Sequence, residues 1–383
     1  MPDEAAVEKP DQDLAADPSS HIDRLQIIAV VIALKIVLFL FAGQTYQVLT
    51  DKSLVTLFDW LHIWHRWDAL HYQKLAEFGY TATGPMRPSM VFYPLYPWLI
   101  RLFTFLTNDY VVSSFIISAA ATVVACVIFY NLIRLEYSRQ TALCSVWFLV
   151  IFPTSYFLHI GYTESLFLAL ALGCIYSART NNWMLAGIIG ALACLTRANG
   201  LVLIPALGIE IIHQFWTTRR WRSDWLWVVL IPLGFCGYLA VIGNAAGDPF
   251  AFMAIRTEAF YISTAPPWTG VMLAIGQIGG SPVQAQIVGV QEFTFIVLGF
   301  VCAIFSWFKL RPIYSVWITC CWLLVVSVNY VASVPRYTLT MFPIFILFAL
   351  LARQRFWLAV ITVWSLVYLG FFSALFTSGR WAF

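Results

Sequence analysis

Apolar runs of roughly 16–22 residues, long enough for a helix to cross a bilayer, follow one another along almost the whole chain, each closed by a short polar break. Lipid offers no partner for exposed backbone groups, so runs of this kind are expected to be helices. The short alternating strands of a membrane barrel are missing from the pattern. Spans are predicted at about 25–42, 111–133, 142–158, 162–178, 183–195, 201–214, 225–242, 292–308, 313–331, 337–351 and 356–375. Two longer stretches break the rhythm. The first, 43–107, begins polar and aromatic, and the second, 243–291, is rich in Gly and Pro. The run 91–106 inside the first stretch is apolar enough to span, but Pro94, Pro97 and Arg101 favour a juxtamembrane helix lying on the surface. Residues 1–22 are acidic and aperiodic and read as a disordered cytoplasmic tail; they lack the positive n-region of a signal peptide. That leaves 23–383 as a single transmembrane domain.

Composition sharpens this picture. A length of 383 residues ordinarily suggests about two or three soluble domains, but 61% of the residues are hydrophobic and only 11% charged, with 17 Trp, 17 Tyr and 31 Phe. No water-exposed surface accommodates that balance. All eight Cys lie in apolar segments, where they act as small hydrophobes without disulfide or zinc spacing. Charge sets the orientation. With a cytoplasmic N-terminus and 91–106 on the surface, twelve of the 22 Lys and Arg fall inside in compact clusters such as Arg219, Arg220 and Arg222, nine fall outside, and Lys35 lies within a span. Letting 91–106 cross would invert those clusters, so eleven spans with an outer C-terminus are predicted. Every loop with unusual polar residues then lands on the outer face, as expected for an active site at the membrane–water boundary. The rival reading, a polyprenyl-lipid transporter or flippase, would place charges along a central pathway of broken helices.

The most ionisable stretch is His62-Ile63-Trp64-His65-Arg66-Trp67-Asp68-Ala69-Leu70-His71-Tyr72. A helix over about 61–78 would put Trp64, Asp68 and Tyr72 on one face, with His65 and His71 beside them, and Asp68 against an apolar wall is a candidate general base. The plainer alternative is an interfacial helix anchored by its Trp, His and Arg. A metal site built from the histidines is disfavoured, because nine residues of helix would turn His71 away from His62. Glu164 opens a span, where it either complements the helix dipole or takes part in acceptor binding. Arg197 and Arg336 stand at outer helix ends and are candidates to grip a phosphate, against the alternative of snorkelling to headgroups. Asp248, in Gly-Asp-Pro, is expected to be a turn residue. Lys35 receives no role.

These residues occur in an ordered series: Trp67-Asp68-Ala69 with Tyr72, Gly79-Tyr80, Phe92-Tyr93-Pro94-Leu95-Tyr96-Pro97, Phe152-Pro153-Thr154-Ser155, Tyr162-Thr163-Glu164-Ser165, Leu195-Thr196-Arg197 with Gly200, Gly247-Asp248-Pro249 and Pro335-Arg336-Tyr337. The series resembles the GPI mannosyltransferase 2 (PIG-V) family in a shorter, prokaryote-like form, over most of the chain from about Trp60 to Tyr337. The resemblance implies an all-α, GT-C type membrane glycosyltransferase. Such an enzyme moves a sugar, here mannose, from a polyprenyl or dolichyl phosphate to an acceptor hydroxyl of a glycan, glycolipid or other molecule on the non-cytoplasmic face. Neither a nucleotide sugar nor an obligatory metal or other cofactor is implied. Asp68 maps onto the acidic residue of the first outer loop. Arg197 and Arg336, with His65 and His71, are then the expected partners of the donor phosphate, and Tyr72, Tyr96, Tyr162 and Glu164 those of the substrates. A bacterial plasma membrane is the expected location, with the endoplasmic reticulum as the alternative.

Overall fold

The computed structural model describes residues 18–381. Among them the chain is helical throughout, its β-structure limited to an isolated bridge between Thr264 and Val328. Of the tail expected at 1–22, residues 1–17 lie outside the described residues, and helix begins at Pro18. Six helices are long and apolar enough to cross a bilayer: His21–Thr50, Tyr110–Arg134, Ala198–Thr218, Ser223–Ala246, Ala285–Lys309 and Arg355–Thr377. The remaining expected spans are shorter. Arg139–Ile151, Trp183–Cys194 and Pro312–Val326 are apolar helices of this kind, and Glu164–Arg179 and Pro343–Leu351 complete the set. By length alone there are thus six full crossings, or seven if the bent pair described next counts as one, and the predicted eleven includes helices too short to cross unaided. Prolines account for part of the shortening. Phe152 is pushed into an extended conformation before Pro153, which stops the helix at Ile151.

The first long loop folds as Leu57–His62, Asp68–Phe78, a 3₁₀ segment Gly84–Val91 and the helix Leu95–Thr107. The last two are bent by 115°. Leu95–Thr107 turns Tyr96, Pro97 and Ile100 inward and leaves Trp98, Leu102, Phe105 and Leu106 exposed. Its 13 residues reach about 20 Å, short of the ~30 Å hydrocarbon layer. By itself it is thus too short to cross, as the expected surface helix would be, while together with Gly84–Val91 it makes the bent pair that would count as a seventh crossing. The second loop is not irregular either: it holds Ala251–Phe260 and Trp268–Ile278, and the next helix starts early, at Val283. Asp248 accepts the Phe250 N–H at 2.9 Å, which is the expected turn.

The helix Glu164–Arg179 carries an ionic cluster at each end, about 22 Å apart by helix rise. At its C-terminal end Arg179 pairs with Glu136 and Glu210, and Arg311 also binds Glu210, at 2.8 Å. At its N-terminal end the chain passes through the middle of the bundle, with every residue from Phe148 to Ser165 buried. Non-helical backbone at that depth needs side-chain partners. Ser118 Oγ donates to the Tyr162 carbonyl at 3.3 Å, Thr122 to the Leu158 carbonyl, and Thr154 Oγ1 to the Pro335 carbonyl at 2.9 Å. Close helix packing beside this centre depends on glycine: a Cβ at Gly234 would stand 1.9 Å from the Ala191 carbonyl oxygen.

Candidate active site

Asp68 is the first residue of its helix, so the expected continuous helix over 61–78 is broken. The first helix ends at His62, and the backbone turns sharply before the second begins. Trp67 closes this turn with φ 47° and ψ −114°, a region that costs a bulky residue about 1–3 kcal/mol. Surrounding structure holds it there. Arg66 donates to the Ile63 carbonyl at 2.9 Å and to the Thr377 carbonyl at 2.6 Å, Tyr162 donates to the Arg66 carbonyl at 2.8 Å, and the Trp67 ring packs 4.7 Å from Phe376. Trp64 is consequently not on the Asp68 face; it is fully buried against Phe39, Tyr156 and Phe376. The reason for setting His62 and His71 on opposite helix faces falls with the helix. Tyr72, one turn on, does share the Asp68 face, and its hydroxyl meets Thr163 Oγ1 at 3.3 Å.

The predicted acids and arginines converge, but differently from the arrangement expected. Arg336 bridges two carboxylates: its Nη1 donates to Asp68 at 2.5 Å and its Nε to Glu164. Arg197 donates to the same Glu164 oxygen and to Thr163 at 3.4 Å. Glu164 therefore neither caps its helix through its side chain nor faces solvent; it is the buried hub of an Asp68–Arg336–Glu164–Arg197 chain. Aromatic faces line the arginines, with Tyr162 4.6 Å and Phe157 5.1 Å from the Arg336 guanidinium and Tyr337 5.2 Å from that of Arg197. Buried ion pairs are weak devices for stability, because desolvation offsets most of the attraction. Four ionisable groups gathered inside the bundle therefore point to function more than to folding.

Exposure separates the two acids. The Glu164 side chain is fully buried, whereas that of Asp68 is 26% exposed. Asp68 is thus the carboxylate of the pair that a solute hydroxyl can reach. Tyr72, Tyr96 and Phe92 form the adjoining wall, with Tyr72 5.3 Å from Tyr96 and 5.2 Å from Phe92. The Tyr96 hydroxyl is engaged with Ser118 Oγ at 2.9 Å and the Ser114 carbonyl at 3.1 Å, so it supports the wall from behind. His71 stacks on Phe92 at 4.8 Å and its Nδ1 meets Ser89 Oγ at 2.8 Å. Burial holds the His71 imidazole below its usual range, partly opposed by the charge of Asp68, which leaves it neutral at pH 7. His65 lies elsewhere: its ring is 6.3 Å from that of His62, and burial also depresses its proton affinity. From the second loop Phe260 closes over His71 and Phe92, 6.0 Å from each, and Glu258 beside it pairs with Arg87. Sequence reasoning did not place the Phe260 helix over the site, nor the direct Arg336–Asp68 contact.

The all-helical bundle, with six or more apolar helices long enough to cross a bilayer, has the GT-C type fold. The ArnT protein of Cupriavidus metallidurans, solved with undecaprenyl phosphate bound, superposes with a TM-score of 0.52 over 94% of this chain and 77% of its own, at 14% identity. Residues 87–242 match the family described as dolichyl-phosphate-mannose-protein mannosyltransferase. The particular relatives agree with the resemblance in the motifs. GPI alpha-1,6-mannosyltransferase 2 of Mus musculus is 26% identical over 53% of this chain and 47% of its own length. GPI mannosyltransferase 2 of Schizosaccharomyces pombe is 30% identical over 39% of this chain and 32% of its own. The aligned part of the chain thus spans about half or less of each of these relatives.

Proposed function

We propose that this multi-pass membrane protein is a GT-C glycosyltransferase, a mannosyltransferase that takes its sugar from a polyprenyl or dolichyl phosphate and gives it to an acceptor hydroxyl on the non-cytoplasmic face. The observation that carries this reading is the reachable Asp68 carboxylate held by an otherwise buried arginine. In the reaction, the acceptor oxygen attacks the anomeric carbon while Asp68 takes its proton. The bond from that carbon to the phosphate oxygen breaks on the opposite side, with inversion, and the lipid phosphate leaves as an anion. Arg336 and Arg197 supply the positive charge that stabilises it, and neutral His71 offers a further hydrogen bond, while the His65 ring packs beside that of His62. Tyr72 and the aromatic wall hold the sugar, while Glu164 keeps both guanidinium groups in place. The lipid tail gains binding energy along the apolar helix surfaces, at about 0.8 kcal/mol per buried methylene. Charge placement and the chain's resemblance to a short form of the family favour a bacterial plasma membrane with the site facing outward.

The test is purified protein, reconstituted in lipid, with labelled polyprenyl-phosphate mannose or glucose and a panel of glycan and glycolipid acceptors. Transfer of mannose to a hydroxyl is the expected result. Movement of the intact lipid across the bilayer without sugar transfer would replace this reading with the flippase.

A further inference from the structure

Glu292 lies far from Asp68 in sequence, at the start of the span predicted over 292–308. It is fully buried in the helix Val283–Lys309. A carboxylate so placed is costly unless fully hydrogen-bonded, and its partners are unusual. One oxygen accepts the backbone N–H of Ser333 and the other that of Val334, both at 2.7 Å. The Trp381 side chain donates to it as well. None of these is a basic side chain, and among the described residues Glu292 has no ion-pair partner.

Both groups of partners lead to the Asp68–Arg336 contact. Ser333 has φ 65°, a left-handed conformation that a serine adopts at some cost, and it opens the short helix Val334–Thr338 that carries Arg336. Its N–H and the next one cannot be used within so short a helix, and Glu292 takes both. On the other side the Trp381 ring packs 6.1 Å from Trp67, the strained residue directly before Asp68. One buried carboxylate therefore grips the turn that aims the arginine and braces the turn that aims the acid. Thr154, donating to the Pro335 carbonyl, holds the arginine's turn from the opposite side.

We propose that Glu292 is the positioning residue of the site, fixing the Ser333–Val334 turn so that Arg336 meets Asp68. In its activity arm this rests on the transferase reading above. Glu292→Gln keeps the shape but replaces one acceptor oxygen by a donor that opposes a backbone N–H.

In the full chain, reconstituted in nanodiscs, Glu292→Gln is expected to speed hydrogen exchange at Ser333 and Val334 while the flanking helices keep their protection. It should lower kcat by about 10–100-fold with KM for the lipid donor changed less than about threefold. Adding Ser333→Gly, which removes the conformational cost of the turn, should recover part of the lost kcat. If the amide replacement proves too disruptive, Glu292→Asp, shorter by one methylene, is read in the same way. Unchanged exchange at the two amides, or an unchanged kcat in a chain whose wild type is active, overturns the proposal. So does a loss of protection spread evenly over the bundle, which would make Glu292 a general structural residue. An inactive wild type would instead count against the transferase reading, and the two amides would still decide whether Glu292 holds the turn.

Discussion

Replacing Glu164 by Gln removes one charge from the centre of the bundle without changing its volume. In the native chain a single Glu164 oxygen receives both Arg336 and Arg197, whose side chains are only 4% and 11% exposed. Arg336 would still have Asp68. Arg197 would be left with Thr163 and the Tyr337 and Phe167 faces. Breaking a buried pair by removing one partner costs about 3–5 kcal/mol, and the amide oxygen of Gln still accepts a hydrogen bond, so a loss of about 3 kcal/mol is expected. For a chain of 383 residues that corresponds to a fall in Tm of about 4 °C. Tryptophan fluorescence during heating in detergent reads it directly. Arg197→Met in the same background removes the stranded charge, so the double variant should be more stable than the sum of the single effects by at least about 1 kcal/mol. A Glu164→Gln protein that melts within about a degree of wild type, or strict additivity with Arg197→Met, would refute the hub role.

Two further outcomes follow from the same geometry. Arg336→Lys keeps the charge but loses the fork that reaches two carboxylates at once, and transfer is expected to fall about 100-fold in steady-state assays with lipid-linked mannose while the protein still purifies as a folded species. His71 is held below its usual proton affinity by burial, so an unfolded chain takes up the proton near pH 6.5 when the folded one does not. Stability should therefore decline as pH drops below about 6.5, levelling off beneath the folded value, and His71→Gln should show a smaller Tm loss between pH 7.5 and 5.5.

The membrane class was legible in the recurring apolar runs, and Asp68, Glu164, Arg197 and Arg336, which the structure brings together, because ionisable residues stand out in an apolar chain. The Asp68–Tyr72 pairing was legible from helix spacing, and the Asp248 turn from Gly-Asp-Pro. Other features left no local trace. Nothing in Ile63–Trp67 marks a helix break, since the positive φ falls on Trp67 rather than on a Gly and is imposed by contacts with Phe376 and Tyr162 some 300 and 100 residues away. Glu164 and Arg336 are 172 positions apart, so their pairing is a property of the packed bundle and not of either motif. The predicted span 142–158 ends early as a helix, at Ile151, for a related reason: the rest of it is buried non-helical backbone whose partners, Thr122 among them, come from other helices.

The most direct measurement is mannosyl transfer by Asp68→Asn in purified, reconstituted protein, with Tm and gel filtration run alongside. The asparagine keeps a hydrogen bond available to Arg336 but cannot accept the acceptor's proton. A fall in kcat of about 100–10,000-fold in a folded protein is the expected result. Transfer within about threefold of wild type would show that Asp68 is not the base and would contradict the mechanism at its centre.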